Sequence, residues 1–336
     1  TFGAPVRVDS DQAGDAYSGY PRIAAQSDGT VLVVWEDSRS GELDIYVNRS
    51  VNRGGVFGID VRLDEGDVPG AFNSFTPQIA ADGDNVYVVW FDARNAQEDE
   101  GPRDIYANYS ANGGLEWLGT AQPVEDLSVS APGFFNSRFP VVAVNGNEAI
   151  VAWEDSRNQG YDIFARRLVS GTPEGPETRL DGGNAGTPSP PGLANSLGTI
   201  MAAAGSNVVV LWSDDRSVTD DASGFSDIYY NCSSDFGKSW DTEDRRIDNV
   251  EAGKAYKNDL NVALVGETIL AAWSDGRTGS SDIYVHTLAK GTEADYAIKG
   301  NPDECVLEDA PDEEEPEAPA EEEPVDEEPT TEPTGA

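Results

Sequence analysis

The stretch TVLVVWEDSRSGELDIY, from Thr30 to Tyr46, joins an apolar strand, a Trp-x-Asp-x-Arg motif and a second strand that begins Asp-Ile-Tyr. The same pattern occurs five times along the chain. The copies have their Trp at Trp35, Trp90, Trp153, Trp212 and Trp273, and their second strands begin at Asp44, Asp104, Asp162, Asp227 and Asp282. Successive Trp residues are 55, 63, 59 and 61 residues apart. A strand-rich repeat of this length is typical of a β-propeller blade or a comparable all-β array.

Each copy predicts four strands, with the apolar run before Trp as the second and the Asp-Ile-Tyr/Phe segment as the third. The fifth copy has no fourth strand after Leu288, and the first residues match the missing piece. Phe2-Gly3-x-x-Val6-Arg7-Val8-Asp9 resembles Phe57-Gly58-x-x-Val61-Arg62-Leu63-Asp64. The sequence therefore predicts an all-β fold, a five-bladed β-propeller of four-stranded blades over residues 1–300, closed by the N-terminal strand.

The chain is strongly acidic, with a formal net charge of -40. Residues 301–336 contain 16 acidic residues and no Lys or Arg, which leaves a net charge of -24 on the remainder. Such charge repels nucleic acid and anionic membranes, and no apolar run is long enough to span a bilayer. We therefore expect no nucleic-acid partner and no membrane insertion by this chain. The Pro/Glu-rich segment 301–336 is predicted to be a disordered tail or spacer.

Three turns after the third strand share a second signature. Ser233-x-Asp235-x-Gly237-x-x-Trp240 has the Asp-box pattern, and the segments from Ser50 to Phe57 and from Ser110 to Trp117 repeat it with Asn in place of Asp. The chain thus resembles the Asp-box (BNR) repeat propellers of the sialidase superfamily. It also resembles the secreted microbial surface proteins with Trp-x-Asp-x-Arg and Asp-Ile-Tyr repeats. In this superfamily the boxes stabilise hairpins on the outer rim, so they indicate fold rather than activity.

The catalytic residues of sialidases do not carry over to this chain. The resemblance implies an arginine triad, a Tyr–Glu pair and an acidic residue on six blades, whereas the repeats here number five. The Phe/Tyr-Arg-Ile-Pro motif of those enzymes has only a rearranged counterpart, Tyr20-Pro21-Arg22-Ile23. No unique acidic residue in a predicted inner strand suggests a replacement catalytic pair.

The repeated Asp and Arg residues are interpreted as scaffold, because a residue present in every copy is more often structural than catalytic. The loops that lead into the inner strands are better ligand-binding candidates, since they would surround the mouth of a central tunnel. They place a ring of short polar groups there, and Asn-Ser can equally serve to form the turn. The candidates are Tyr17, Ser18, Asn73, Ser74, Asn136, Ser137, Asn195, Ser196, Lys257 and Asn258.

Two enlarged loops carry acidic residues that suit Ca²⁺, although their spacing matches no defined calcium loop. The candidate metal ligands are Glu98, Asp99, Glu100, Asp220 and Asp221. No cofactor is required by the sequence, and Ca²⁺ is an optional ligand. Cys232 and Cys305 are the two cysteines, and a disulfide between them would indicate an oxidising compartment. The alternative is two unpaired thiols.

These observations favour a non-catalytic propeller, extracellular or at the cell surface, that recognises a glycan or another surface protein. Any secretion signal or anchor would lie outside this chain. One alternative is a glycoside hydrolase, sialidase-like or otherwise, with its site at the tunnel mouth, which would require two carboxylates close together. A second is a structural or assembly subunit that binds Ca²⁺.

Overall fold

The computed structural model describes residues 3–96, 101–129, 132–183, 189–218, 225–248, 251–253, 255–265 and 268–288. Within these residues the fold is all-β, and no helix occurs that could cross a membrane. The predicted tail, residues 301–336, lies outside this part of the chain. The strands are β1 (Ser18–Ala25), β2 (Val31–Asp37), β3 (Asp44–Ser50), β4 (Val61–Arg62), β5 (Ser74–Asp82), β6 (Asn85–Asp92), β7 (Asp104–Ser110), β8 (Gln122–Pro123), β9 (Ser137–Asn145), β10 (Glu148–Asp155), β11 (Asp162–Val169), β12 (Thr172–Arg179), β13 (Ser196–Ala204), β14 (Asn207–Asp214), β15 (Asp227–Ser233), β16 (Arg245–Arg246), β17 (Lys257–Val265), β18 (Thr268–Asp275) and β19 (Asp282–Leu288).

The strands form five antiparallel sheets in chain order, which we number one to five: β1–β4, β5–β8, β9–β12, β13–β16 and β17–β19. The first strands of neighbouring sheets lie side by side, from β1 through β5, β9 and β13 to β17. This arrangement is the one expected of a propeller. The prediction of an all-β fold built from five repeated sheets is therefore confirmed.

Apolar side chains fill each of the four boundaries between consecutive sheets. The second strands supply most of them, as their continuous Val, Leu and Ile runs predict for strands buried on both faces. One Trp lies in each cluster: Trp90 between sheets one and two, Trp153 between two and three, Trp212 between three and four, and Trp273 between four and five. The core is therefore a series of layers between sheets, and each repeat depends on its neighbours for burial.

The three Ser-x-Asp/Asn-x-Gly turns share one hydrogen-bond pattern. In the third of them, the Ser233 hydroxyl accepts the Gly237 N–H at 2.8 Å and Asp235 accepts the Ser239 N–H at 2.8 Å. Gly237 has φ +76°, and a Cβ there would lie 2.0 Å from the Ile150 Cδ1 of the preceding sheet. Glycine is therefore required for both its backbone angle and its close packing.

The fifth sheet differs from the other four, because only three strands of it are described. Residues 3–10 form no strand with β19 in the described part of the chain, so strand pairing does not close the ring as predicted. Ile283 in β19 is 75% exposed, whereas its counterparts Ile45, Ile105, Ile163 and Ile228 are fully buried. The N-terminal segment lies against sheet one instead, where Asn48 Nδ2 donates to Val8 O at 3.1 Å.

Candidate functional site

The Trp-x-Asp-x-Arg motif forms the same buried hydrogen-bond arrangement in every sheet. In sheet one, Trp35 Nε1 donates to Asp37 Oδ2 at 2.9 Å, and the Arg39 N–H donates to Asp37 Oδ1 at 2.9 Å. The other four motifs make the same two bonds. All five Asp side chains are fully buried. Their oxygens are therefore used inside the fold, which agrees with their interpretation as scaffold.

In sheets two and four, a buried serine of the inner strand contacts both the motif Asp of its own sheet and an Asp that follows the fourth strand of the preceding sheet. Ser196 donates towards Asp181 of sheet three at 2.6 Å and Asp214 of sheet four at 2.9 Å. Ser74 does the same between Asp64 and Asp92. Burial, the main cause, raises the pKa of Asp64 and of Asp181 to about 7. Ser74, Ser137 and Ser196 are fully buried. The hydroxyls of these three predicted ligand-binding residues therefore bond to carboxyl groups inside the fold, within a sheet or between neighbouring sheets.

The fifth sheet has a lysine where the others have this serine. The register pairs Lys257 with Asp275, just as Ser74 pairs with Asp92. The pair that corresponds to Asn73-Ser74 is therefore Tyr256-Lys257, one residue earlier than the predicted Lys257-Asn258. Lys257 is fully buried, and its ammonium donates to Asp227 Oδ1 at 2.9 Å.

The remaining predicted ligand-binding residues occupy different surroundings. Asn73 Oδ1 accepts the Leu43 N–H at 3.0 Å, and Asn136 Nδ2 donates to the Tyr161 hydroxyl at 3.0 Å. The Tyr17 ring is 53% exposed, and Ser18 donates to Asp37 at 2.9 Å. Asn195 and Asn258 both line one cleft.

Beside its apolar cluster, at the end that carries the Trp-x-Asp-x-Arg motifs, the boundary between sheets four and five is open because of the residue that follows Trp in the motif. At this position Glu36 and Glu154 reach into the inner strand of the next sheet, where they accept the N–H groups of Thr76 at 2.8 Å and Gly198 at 2.6 Å. Phe91 packs there against Phe139, with ring centroids 5.7 Å apart. Sheet four has Ser213, which is too short to fill the space.

The result is a cleft of about 530 Å³ between these two sheets. Two carboxylates line it, Asp215 from the loop after β14 and Asp259 from β17. Both oxygens of Asp215 accept hydrogen bonds from Asn195, at 2.7 and 3.1 Å. Asp259 Oδ2 accepts the Ser274 hydroxyl at 3.0 Å. Tyr256, which is 52% exposed, adds an aromatic ring to the wall. A cleft of this size with carboxylates and an aromatic ring can hold a small polar ligand.

The carboxyl groups of Glu36 and Glu154 differ from those of the cleft because they are enclosed. Burial raises the pKa of both above the usual range of glutamate. At Glu154 this effect is opposed by Arg138, whose Nε donates to Glu154 Oε2 at 2.9 Å. These groups therefore close their boundaries, whereas Asp215 and Asp259 remain available to a ligand.

Sequence reasoning missed Asp215, Asp259 and Ser213, although a signal was present. The residue after the motif Asp is Ser38, Ala93, Ser156, Asp215 and Gly276 in the five copies, so a carboxylate occurs only in the fourth. Asp259 likewise has Tyr20, Thr76, Phe139 and Gly198 as its counterparts. A comparison of the copies position by position would have found both.

The metal and disulfide predictions lie mostly on residues beyond this description. Glu98, Asp99, Glu100, Asp220 and Asp221 are all outside the described residues, and Ca²⁺ binding stays a prediction. Among the described residues, no group of three or more His, Cys, Asp or Glu is placed to hold a metal ion. Cys232 is disulfide-bonded, while its predicted partner, Cys305, lies outside the described residues.

Comparison with known proteins gives structural likenesses only. No protein-family model matches the chain, and no curated protein matches it. It is similar in structure to the GH93 α-L-arabinofuranosidase of Fusarium graminearum (15% identity, 80% of each chain covered, TM-score 0.49). It is also similar to the α-L-arabinanase of Penicillium chrysogenum (13%, 81% of each chain, TM-score 0.48) and to the NanB sialidase of Streptococcus pneumoniae (9%, 80% of this chain and 58% of that one, TM-score 0.47).

These likenesses concern the fold, and they correct one prediction. A sialidase-like propeller fold accords with all three structures. The preferred prediction, a non-catalytic binding propeller, is wrong as the first choice, because most of these similar structures are glycoside hydrolases, among them a GH93 α-L-arabinofuranosidase, an α-L-arabinanase and a GH43 endo-arabinanase. They accord better with the alternative of a glycoside hydrolase. What this chain does must then be argued from its own cleft.

Proposed function

We propose that the protein is a glycoside hydrolase whose site is the cleft between sheets four and five. The observation that carries this proposal is the pair Asp215 and Asp259, one from each sheet, in a single cleft of about 530 Å³. Glycoside hydrolysis uses two carboxyl groups on either side of the scissile bond, one to protonate the leaving oxygen and one to attack or to activate water. The volume is within the usual range of about 300–1,000 Å³ for small-molecule sites.

The two carboxylates are held differently, which suggests different roles. Asn195 fixes both oxygens of Asp215. Asp259 has a single hydrogen bond, through Oδ2 to Ser274, and Oδ1 has no partner among the described residues. We assign to Asp259 the protonation of the leaving glycosidic oxygen, and to Asp215 the removal of a proton from the water that attacks the sugar from the opposite side. Tyr256 offers a ring on which the apolar face of a sugar can stack.

The test is hydrolysis of a panel of nitrophenyl glycosides and oligosaccharides, including arabinofuranosides and a sialoside, between pH 4 and 8. Asp259→Asn and Asp215→Asn should each lower kcat/KM by a factor of about 10³, the scale of a lost acid–base group. Glu116→Gln is the matched control, because Glu116 is exposed on an outer turn and does not line the cleft. Absence of hydrolysis across the panel, or two fully active variants, would refute the proposal.

The same proposal includes a closed ring of five blades. Its support is that the Val8 carbonyl accepts Asn48 Nδ2 at 3.1 Å, as the Leu63 carbonyl accepts Asn108 at 2.7 Å and the Leu180 carbonyl accepts Asn231 at 3.1 Å. Leu63 and Leu180 each follow a fourth strand directly. The N-terminal segment thus contacts sheet one as a fourth strand of sheet five would. Deletion of residues 1–9 should therefore lower the melting temperature, and an unchanged melt would count against closure.

Two finer assignments accompany the proposed activity. The three Ser-x-Asp/Asn-x-Gly turns are proposed to be Asp-boxes, with the hydrogen bonds of Ser233 and Asp235 as support. The disulfide bond of Cys232 suits an oxidising, extracellular location. Secretion in the native host, followed by fractionation, would test this location.

A further inference from the structure

Every inner strand contains a β-bulge at the same place, its third residue. The residue at each bulge has positive φ: 48° at Tyr20, 47° at Thr76, 49° at Phe139, 71° at Gly198 and 52° at Asp259. The ladder register shifts at these positions in all five sheets. A bulge removes one residue from the regular ladder, so its N–H needs another acceptor.

In two sheets that acceptor is a carboxylate from the preceding sheet. Glu36 accepts the Thr76 N–H, and Glu154 accepts the Gly198 N–H. At the next boundary the residue equivalent to Glu154 is Ser213. No side chain of the described residues accepts a hydrogen bond from the Asp259 N–H, which belongs to the wall of the cleft. The fold therefore leaves a donor at the place where a ligand oxygen can take over the role of Glu154.

The charges around this donor select the kind of oxygen. Asp215 and Asp259 both line the cleft, and no Lys or Arg is among its lining residues. The nearby ammonium of Lys257 is buried and already bonded to Asp227. A ligand carboxylate would face two like charges without a compensating cation. A hydroxyl has no such penalty, because it can accept from an N–H and donate to a carboxylate at once.

We propose that a hydroxyl of a neutral sugar occupies this position, accepting the Asp259 N–H and donating to Asp215 or Asp259. The cleft would then select neutral sugars against uronic and sialic acids. This inference rests on the proposed function for the location of the site, and it adds the class of substrate.

The first experiment measures binding rather than turnover. Methyl galactoside and methyl glucoside are compared with methyl galacturonide, methyl glucuronide and sialic acid by calorimetric titration at low salt. We expect the better neutral glycoside to bind at least 10-fold more tightly than its acidic counterpart. The inference would be overturned if either uronide bound more tightly than its neutral counterpart, or if sialic acid bound more tightly than both neutral glycosides. Absence of binding by both neutral glycosides would overturn it as well.

The second experiment fills the cleft from within. Ser213→Gln places an amide where Glu154 lies one sheet earlier, so its oxygen should accept the Asp259 N–H. Binding of the neutral glycoside should fall at least 10-fold while the melting temperature is kept or raised. Ser128→Gln, at an exposed position outside the cleft, is the matched control. If Ser213→Gln does not fold, Ser213→Asn provides a smaller filling of the same space. A variant that folds and binds as the parent does would refute the inference.

The two proposals fail in different ways. Neutral sugars that bind without being hydrolysed would refute the hydrolase proposal and leave the present inference intact. Hydrolysis of sialosides or glucuronides in preference to neutral glycosides would refute the inference and leave the hydrolase proposal intact.

Discussion

The boundary between sheets three and four and the boundary between sheets four and five have the same backbone but opposite chemistry. At the first, Glu154 closes the gap and Ser196 links two buried carboxyl groups. At the second, Ser213 leaves a cleft and Lys257 supplies a buried cation. In a repeat protein a site can thus arise from a few residue differences, here Ser213, Asp215 and Asp259, because backbone bonds and apolar layers maintain the frame.

The largest effect should come from the lysine of the open boundary. In the parent, the buried Lys257 ammonium lies 2.9 Å from an oxygen of Asp227 and 3.5 Å from an oxygen of Asp248. Lys257→Met removes this cation from both carboxylates. We expect the free energy of unfolding to fall by about 4 kcal/mol, the scale for breaking a buried ion pair. Ser196→Ala, at the equivalent position of the closed boundary, should cost about 1 kcal/mol. Urea unfolding measures both, and similar losses would show that the two positions have the same role.

The next effect concerns the carboxylate that closes the other boundary. Glu154→Ala leaves the Gly198 N–H and the Arg138 guanidinium without their acceptor, so we expect a loss of about 3 kcal/mol. Ser213→Ala, its counterpart at the open boundary, should stay within about 0.5 kcal/mol. The same unfolding experiment applies. A Glu154→Ala variant as stable as the parent would show that this carboxylate does not hold the boundary closed.

At a third boundary, between sheets two and three, a buried carboxyl group should make the free energy of unfolding depend on pH. Pro123 and Glu125 replace the Arg-x-Asp pattern of Arg179 and Asp181, so Glu125 lacks an arginine in its own strand. Burial, together with the charges of Asp155 and Asp104, raises its pKa to about 8.

Because this pKa is raised, the folded protein keeps a proton that the unfolded chain loses from about pH 4.5 upwards. The stabilisation is complete below the pKa of the unfolded chain and is lost as the pH rises towards 8. Glu125→Gln should therefore be more stable than the parent by at least about 2 kcal/mol at pH 8, and nearly equal to it at pH 4.5. Unfolding at several pH values tests this, with Glu116→Gln as the control. A constant difference across the pH range would contradict the assignment.

The smallest effect is expected on the outer turns, far from either boundary. Asp235→Asn should change the free energy of unfolding by less than about 0.5 kcal/mol. The reason is that Asn52 and Asn112 make the same turn bond in sheets one and two, each to a backbone N–H, at 2.8 and 2.9 Å. A larger loss would show that the fourth sheet depends on the charge.

The sequence predicted the repeat, the second and third strands and the structural role of the Trp-x-Asp-x-Arg residues correctly. These features are local: the motif Asp bonds to residues two positions away on either side, so its geometry is contained in a short segment. The predicted tunnel-mouth set fared differently. Ser74, Ser137 and Ser196 are fully buried, and Lys257 occupies a register one residue from the predicted one. The fifth copy has Leu260 where copies one to three have Pro21, Pro77 and Pro140, so the residue that marks this position in the inner strand is missing there.

The sequence by itself determined the number of repeats, the apolar layers and the turn chemistry, because each depends on periodicity and on residues close in the chain. Only the tertiary structure decided where a ligand can enter. The cleft depends on Ser213 of one sheet facing Asp259 of the next, and residues so far apart meet only through the stacking of sheets. A short side chain is unremarkable in a sequence, and here it forms a site because the other three described boundaries have a longer residue, Glu36, Phe91 or Glu154, at that position.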